Sequence, residues 1–466
     1  MMTQQQGVVV MLVSLVVIVL VSGVLSAADT AEGAAVGSGA VRVPEKCQQL
    51  MDAYCNSPVE NAPCLHALEE HNHPLPLYAR FDTNAQHGPK QWRCYSSDAL
   101  DSRNQSYVKG TGYCTRDEQI RAVIADCEAN VTLVDVFTPG EAGYPCIRIP
   151  SLVLVGDGSL LAFAECRNWT GDGCEPTGVH AENSNRDICM KRSRDSGHTW
   201  SPLKVILRNA AQPTAVFDTV HNQTVLNYIQ LQPASNLQVV SFDNGNTWST
   251  PLHLDAFLGG AAPSDVGPGV GLQLKSNVSG HAGRLLFIGH HGAYQFDSVW
   301  FSDDGGHMYS LAQTNFTHMD EAQLVELPDG RVLANMRNNH INKCSCRGVA
   351  ISDDGGTTFG PVSFAPQLIS PVCQATILTG NDNKVYFVNP ASTSERVNGV
   401  LRQSSDGIHW DKQRTVYAGA FAYSCLSLLP NNNATHLGLL FETAMLHGCE
   451  GPSCRTVFAA VATSNF

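Results

Sequence analysis

The chain has 466 residues, of which 43% are hydrophobic and 15% are charged, and its formal net charge is −13. The hydrophobic content indicates a globular protein with a large core, and the length suits one large repeat domain with a smaller attachment. The negative charge argues against a nucleic acid partner, because phosphate binding requires a positive surface. The 40 glycines and 23 prolines indicate many turns, as in all-β folds.

The N-terminus carries an uncharged apolar run over residues 7–25, followed by small residues up to Ala28. This pattern predicts a secretory signal peptide over residues 1–28. The run is long and no basic residue precedes it, so an uncleaved signal-anchor is the alternative. The 16 cysteines and several N-x-S/T sequons agree with an oxidising compartment. We therefore expect a secreted or lumenal protein that contacts a membrane only through a possible N-terminal anchor.

Three further regions follow the signal segment. Residues 29–45 are rich in alanine and glycine and predict a flexible leader. Residues 46–130 contain six cysteines and predict a small Cys-rich module, with a possible helix over residues 117–127. Its disulfide pairing stays open, because six cysteines allow about fifteen connectivities. Residues 131–466 carry a repeat and form the main domain.

The repeat has the form S-x-D-x-G-x-T-W, with an aromatic residue closing each copy. Serine and aspartate side chains satisfy the N–H groups of a turn, and glycine supplies a positive φ, so this Asp-box serves the fold and not a binding site. Its spacing of about 50 residues suits one four-stranded propeller blade. The five copies begin at Ser193, Ser241, Ser302, Ser352 and Ser404.

Six β-hairpins alternate with the five boxes, and together they predict an all-β fold, a six-bladed β-propeller. The clearest hairpins are residues 149–165 and 323–337, and four others begin near Thr214, Val270, Gln374 and Ser424. The last blade has no box and must close differently. Either residues 131–137 or residues 455–464 supply its missing strand.

A hairpin places both of its outer ends at one edge of the blade and its turn at the other. Polar residues at the outer ends should therefore gather on one face, around the propeller axis. Three of them, Arg148, Arg337 and Arg396, form what we call the arginine clamp. Convergent arginines on an acidic protein indicate an anionic ligand, because guanidinium groups bind carboxylates bidentately. The other outer-end residues are Glu165, Arg167, Glu321, Tyr423 and Glu442.

These same residues resemble the exo-α-sialidase (neuraminidase) family with Asp-box, or BNR, repeats. Residues 146–150, CIRIP, resemble its Arg-Ile-Pro motif, and residues 161–167 are similar to its Glu-x-Arg segment. Residues 321–327 resemble the stretch with the acidic partner, and residues 422–424 match the nucleophile region. Arg337 and Arg396 match the second and third arginines. The resemblance covers residues 135–466 and implies an enzyme, a retaining exo-α-sialidase whose partners are sialylated glycans.

The resemblance also implies a role for each residue. Sialic acid carries a carboxylate on its anomeric carbon, which would repel a carboxylate nucleophile, so Tyr423 serves instead. Glu321 takes the phenol proton as general base, and the arginine clamp holds the substrate carboxylate. Arg167 lies in the same substrate-binding set. Glu442 or Glu165 neutralises and orients Arg148.

The general acid is expected on the long loop that follows the Glu-x-Arg segment. Asp172 lies between two glycines, on a turn able to reach the leaving oxygen. Glu182 and Asp187 are the alternatives, because the additional loop residues can lie on either side of the acid.

No cofactor and no metal is expected. Cys344 and Cys346 have no further metal ligands nearby and predict disulfides. The pair His290 and His291 lacks metal-ligand spacing. Two alternative functions stay open: an enzyme for a related acidic ulosonic sugar, trans-sialidase included, or a non-catalytic glycan-binding propeller.

Overall fold

The computed structural model describes residues 131–174, 185–259, 265–339, 344–430, 436–444 and 453–464, and the backbone of three earlier strands. These strands, β1 (Leu77–Asp82), β2 (Gln91–Ser96) and β3 (Tyr113–Cys114), form an antiparallel sheet with β2 in the middle. The predicted signal segment, the leader, the cysteine pairing of the module and the helix over residues 117–127 lie outside the described residues. Within the described residues, no helix is long and apolar enough to cross a membrane.

Six sheets follow, antiparallel except for one short parallel pair, and they confirm the predicted six-bladed propeller. Strand β4 (Val134–Phe137) and a short 3-10 helix (Glu141–Gly143) precede the first complete blade. The first blade contains β5 (Cys146–Leu154), β6 (Leu160–Arg167), β7 (Arg186–Ser193) and β8 (Lys204–Leu207). The second contains β9 (Ala210–Asp218), β10 (Gln223–Leu231), β11 (Ala234–Ser241) and β12 (Leu252–His253). The third contains β13 (Asp265–Val266), β15 (Leu272–Gln273), β16 (Leu285–His291), β17 (Phe296–Ser302) and β18 (Ser310–Thr317), whereas β14 (Gly269–Val270) pairs in parallel with β9.

The remaining three blades are regular. The fourth contains β19 (Met319–Glu326), β20 (Val332–Asn338), β21 (Cys346–Ser352) and β22 (Ser363–Ile369). The fifth contains β23 (Thr376–Thr379), β24 (Val385–Pro390), β25 (Val397–Ser404) and β26 (Lys412–Ala420). The sixth contains β27 (Ser424–Leu428), β28 (His436–Thr443), β29 (Arg455–Ala462) and β4.

Burial decreases from the inner to the outer strands of a blade. Strand β6 is buried at every position, because its residues are packed between neighbouring blades. The outermost strand β18 is mostly exposed or partly buried instead, and Phe316 is its buried residue. Apolar clusters fill the space between successive blades; one of them joins Leu161 and Phe163 of the first blade to Ala215 and Leu226 of the second. The core therefore continues around the ring.

The Asp-boxes form the turns between the third and fourth strands of the first five blades. In the first box, the Ser193 hydroxyl donates to Asp195 (2.8 Å) and accepts from the Gly197 N–H (2.8 Å). Gly197 has a φ of +91°, and a Cβ there would lie 2.0 Å from the Phe458 ring. Only glycine fits this close approach to the preceding blade. The boxes therefore stabilise turns and hold neighbouring blades together.

Both candidate segments take part in closing the sixth blade. Residues 455–462 form the third strand, β29, and residues 134–137 form the outer strand, β4. The two strands are antiparallel, with Phe458 opposite Val134. The chain thus closes its ring by pairing an N-terminal strand of the propeller with a C-terminal one.

Candidate active site

The outer ends of the hairpins bring the candidate residues to one face of the propeller. Arg148, near the start of β5, lies opposite Glu165 of β6. Arg337 of β20 lies opposite Asp320, which directly precedes Glu321 on β19. Tyr423 precedes β27, and its carbonyl accepts from the N–H of Glu442 on β28 (2.8 Å). Three blades thus supply side chains to one cluster.

Tyr423 lies at the centre of this cluster. Its hydroxyl donates a hydrogen bond to Glu321 Oε1, and Arg337 Nη1 donates to the same hydroxyl oxygen (3.2 Å) and to Glu321 Oε2. The guanidinium carbons of Arg148 and Arg396 lie 4.8 Å and 5.3 Å from the centre of the Tyr423 ring. All three clamp arginines therefore converge on one phenol.

Burial and charge set the protonation of the Tyr423–Glu321 pair. Burial and the charge of Glu321 raise the pKa of Tyr423 well above its ordinary value, against the lowering effect of the three arginines. Burial would raise the pKa of Glu321, but the charges of Arg337 and His290 outweigh it and lower that pKa. The pair therefore consists of a neutral phenol and an ionised carboxylate.

Arg148 is held by Glu442. Its Nε and Nη2 donate to the two carboxylate oxygens of Glu442, at 3.2 Å and 2.9 Å. Glu442 also accepts from the N–H of Ile149 (2.9 Å), and both charged side chains are buried. Burial would lower the pKa of Arg148, but the charges of Glu442 and Asp172 outweigh it and raise that pKa. Of the two carboxylates predicted to orient Arg148, Glu442 makes the contact.

Glu165 serves a different arginine. One of its oxygens accepts from Arg167 Nε (3.0 Å) and Nη2 (2.8 Å), and the other accepts from the N–H of Gln212 (2.9 Å). Arg186 lies 3.7 Å from the same carboxylate, and Trp169 lies beside the guanidinium groups of Arg167 and Arg186. Arg167 therefore has a fixed orientation next to the clamp.

Asp172 reaches both arginine groups. Its carboxylate accepts from Arg148 Nη1 (3.2 Å) and Arg167 Nη1 (2.9 Å), although 60% of its side chain is exposed. Partial burial would raise its pKa, but the charges of Arg148 and Arg167 lower it. Asp187 instead accepts from Tyr144 (2.6 Å) and Arg208 (2.6 Å). Glu182 lies outside the described residues.

Several residues at the site were not predicted from the sequence. The His290 ring lies 3.4 Å from Asp320 and 3.6 Å from Asp265, next to Glu321. Tyr294, on the β16–β17 turn, lies beside Arg337, with 5.5 Å from the guanidinium carbon to the ring centre. His290 also ends a hairpin, so the outer-end rule that selected Arg337 would have selected it. The useful indication for His290 was therefore its position at a hairpin end, and not metal-ligand spacing.

The described residues contain no group of three or more His, Cys, Asp or Glu side chains able to hold a metal ion. Disulfides join Cys146 to Cys174, Cys166 to Cys189 and Cys344 to Cys346. The last of these uses the two cysteines for which a disulfide was predicted.

Comparison with known proteins places this chain in a family. The model for the BNR repeat-like domain matches residues 181–437. A sialidase of Micromonospora viridifaciens is 32% identical over 349 residues, which cover 66% of this chain and 51% of the relative. A sialidase of Bacteroides fragilis is 27% identical over 373 residues, which cover 67% of this chain and 63% of that protein. The chain thus spans about half to two thirds of the length of these relatives.

A similarity in fold accompanies the similarity in sequence. The NanB sialidase from Streptococcus pneumoniae superposes with a TM-score of 0.60 at 15% identity, and the alignment covers 83% of each chain. The chain belongs to the exo-α-sialidase family with BNR repeats.

Proposed function

We propose that the chain is a retaining exo-α-sialidase that hydrolyses terminal α-linked sialic acids from glycoproteins, glycolipids or oligosaccharides. One observation carries this proposal. The hydroxyl of Tyr423 lies between a carboxylate that accepts its proton and an arginine that donates to its oxygen, with two further arginines beside its ring. Such a phenol is prepared to become an anion only when positive charge develops next to it.

The nucleophile must approach an anomeric carbon that carries a carboxylate. A neutral phenol avoids the repulsion that a carboxylate nucleophile would meet. The raised pKa of Tyr423 and the lowered pKa of Glu321 oppose proton transfer in the resting pair. Transfer therefore accompanies bond formation, when the anomeric carbon becomes electron-poor and the arginine clamp stabilises the developing phenolate.

The three clamp arginines differ in whether they are already paired with a carboxylate before substrate binds. Arg148 and Arg337 are paired with Glu442 and Glu321. Arg396 donates to the carbonyl of Val372 (3.2 Å) and has no carboxylate ion pair within the described part of the chain. We therefore assign the strongest ionic contact with the substrate carboxylate to Arg396, and we assign orientation to Arg148 and Arg337.

Asp172 acts as the general acid after an exchange of partners. Its pKa is low because Arg148 and Arg167 hold its carboxylate. A substrate carboxylate competes for Arg148 and brings a negative charge close to Asp172, and both effects raise the pKa of Asp172. Substrate binding thus allows Asp172 to carry the proton that the leaving oxygen requires.

The reaction then proceeds in two displacements. In the first, the oxygen of Tyr423 bonds to the anomeric carbon, the phenol proton moves to Glu321, and Asp172 protonates the departing oxygen. In the second, water attacks the anomeric carbon, Asp172 accepts a proton from that water, and Glu321 returns its proton to Tyr423 as the covalent bond breaks. The starting protonation states are restored, and the released sugar keeps its α configuration.

We further propose that the protein enters the secretory pathway, either as a secreted or lumenal enzyme or held by an N-terminal anchor. The disulfides support an oxidising compartment. The four described sequon asparagines are all exposed, as N-glycosylation requires: Asn168, Asn222, Asn277 and Asn315.

The direct test is a product analysis with purified protein and sialyllactose, followed by proton NMR during the first minutes. We expect free α-sialic acid to appear before its β anomer. Early β anomer would indicate inversion and overturn the mechanism. Sialic acid transferred to the lactose of a second substrate molecule, or an intramolecular anhydro sugar, would indicate a transferase. No turnover of either sialyllactose or a fluorogenic aryl α-sialoside would favour a non-catalytic glycan-binding propeller.

A further inference from the structure

Each cysteine of the Cys146–Cys174 disulfide lies two residues from a residue of the site. Cys146 precedes Arg148 by two residues on β5, and Cys174 follows Asp172 by two residues. The two Cα atoms are 5.4 Å apart, and both cysteines are buried. One covalent bond therefore connects the strand that carries a clamp arginine to the loop that carries the proposed acid.

The loop that bears Asp172 belongs to a long connection between β6 and β7, residues 168–185. A carboxylate on such a connection has many positions available, and holding it in one place costs conformational entropy. Asp172 adopts a left-handed φ of +46° between Gly171 (+131°) and Gly173 (+97°). The two glycines adopt a positive φ without strain, whereas Asp172 does so at a cost that its surroundings must offset.

The support comes from both ends of the turn. On one side, Trp169 lies beside the guanidinium group of Arg167, at 5.2 Å. In the middle, the carbonyl of Asp172 accepts from Arg148 Nη1 (2.6 Å), and its carboxylate accepts from Arg167 Nη1 (2.9 Å). On the other side, Cys174 is bonded to Cys146. Of these contacts, the contact to Arg148 is the one that a substrate carboxylate would weaken, whereas the disulfide would persist.

We propose that the Cys146–Cys174 disulfide is a positioning device that keeps the carboxyl group of Asp172 within reach of the leaving oxygen once substrate has taken its place on Arg148. This inference rests on the proposed sialidase function and on Asp172 as its acid. Without the disulfide, the turn loses its covalent support at the stage when Arg148 is engaged by substrate. Asp172 then spends most of its time away from the glycosidic oxygen.

A second disulfide in the same blade provides a matched control. Cys166 and Cys189 join β6 to β7, and these strands are already paired along their whole length. The two disulfides close loops of similar length, with sequence separations of 28 and 23. Their removal should therefore have comparable effects on the unfolded chain. Only the first of them bounds the turn that carries Asp172.

The test compares the double variants Cys146→Ala/Cys174→Ala and Cys166→Ala/Cys189→Ala on two substrates. One substrate is sialyllactose, whose leaving group needs an acid; the other is an activated aryl α-sialoside, whose leaving group does not. For Cys146→Ala/Cys174→Ala we expect kcat on sialyllactose to fall by about 10–100-fold, and kcat on the aryl sialoside to change by less than about threefold. The control pair should change both rates by the same factor. Equal changes on both substrates for both variants would overturn the inference.

Combining Asp172→Asn with the disulfide variant tests whether the disulfide acts through Asp172, independently of the sialidase function and of Asp172 as the acid. If the disulfide acts through Asp172, the substitution costs much less in the Cys146→Ala/Cys174→Ala background than in the wild type. Fully additive losses would show that the disulfide does not act through Asp172. Turnover by the wild type tests the sialidase function alone, and the substrate selectivity of Asp172→Asn alone tests the acid.

Should the double variant fail to fold, the native enzyme can be treated with a water-soluble phosphine. The phosphine is oxidised as the S–S bond is converted to two thiols, which are then counted by alkylation and peptide mapping. Reduction of Cys146–Cys174 should lower the sialyllactose rate selectively. Preservation of the ratio between the two substrates after this bond has been reduced would contradict the proposal.

Discussion

The buried pair of Arg148 and Glu442 offers a test in which stability and activity change together. Replacing Glu442 by Gln keeps the shape of the side chain and one acceptor oxygen, but it places an NH₂ group against a guanidinium N–H. Oε1 of Glu442 accepts from Arg148 Nε and from the Ile149 N–H, whereas Oε2 accepts from Arg148 Nη2 alone. The amide oxygen should therefore take the Oε1 position, and the contact to Nη2 is lost.

The magnitude follows from burial. Both side chains are 1% exposed or less, so Glu442→Gln leaves the buried guanidinium charge of Arg148 with the largely exposed Asp172 as its remaining counter-ion. Breaking a buried pair from one side costs about 3–5 kcal/mol, which corresponds to a decrease in Tm of roughly 4–7 °C for a domain of this size. Turnover should fall as well, because Arg148 is no longer held beside Tyr423.

The assay is thermal unfolding followed by circular dichroism, together with kcat/KM on an aryl sialoside. Asp329→Asn is the control, because Asp329 pairs with Arg331 on the opposite face with 53% of its side chain exposed. An exposed pair contributes less than about 1 kcal/mol. Should Glu442→Gln be as mild as Asp329→Asn in both measurements, the account of Arg148 as a buried and oriented arginine is wrong.

Three further predictions concern the arginine clamp, the proposed acid and a buried carboxyl group. Alanine in place of any residue of the arginine clamp should cost about 2–4 kcal/mol in transition-state stabilisation, measured from kcat/KM, whereas Arg331→Ala should change almost nothing; equal effects would contradict the topological argument. Asp172→Ala should slow the cleavage of sialyllactose far more than that of an aryl sialoside, and equal losses would exclude it as the acid. Asp297 is fully buried without a hydrogen-bond partner among the described residues, and burial together with the charge of Asp320 raises its pKa. The protonated carboxyl of Asp297 gives its full stability below the pKa that Asp297 has in the unfolded chain, and this stability is lost as the pH rises towards its raised pKa in the folded protein. The Tm of Asp297→Asn should therefore exceed that of the wild type by an amount that grows with pH. A difference in Tm that stays constant with pH would refute this.

Local patterns were sufficient to predict the propeller. An Asp-box needs only neighbouring residues to form its turn, as Ser193, Asp195 and Gly197 illustrate, so its recurrence can be read from the sequence. The third blade is less regular than the simple hairpin that was predicted to begin near Val270. There the inner edge is divided among short strands, and a Cβ on Gly269 would lie 2.5 Å from the side chain of Gln323. Such a close approach depends on another blade, which no local pattern reveals.

The clustered residues could also be predicted from the sequence, but their pairings could not. Hairpin topology predicted that the outer ends share a face, yet it did not decide between Glu165 and Glu442 as the partner of Arg148. The observed partner is 294 positions away in the sequence, and the choice depends on how the first and sixth blades meet. The position of His290 at the end of a hairpin could have indicated its place on this face, whereas its contacts with Asp265 and Asp320 involve separate strands and could not be predicted.

The central claim is that Tyr423 forms a covalent bond with the anomeric carbon. A sialosyl fluoride with a second fluorine beside that carbon should form this bond quickly and release it slowly, and the adduct can be located by intact mass and peptide mapping. We expect one sialosyl group, attached to Tyr423, in the wild type and in Tyr294→Phe, the variant of the second tyrosine beside Arg337. Tyr423→Phe should give no adduct. A label on Glu321 or Tyr294, or full retaining turnover by Tyr423→Phe, would contradict the account.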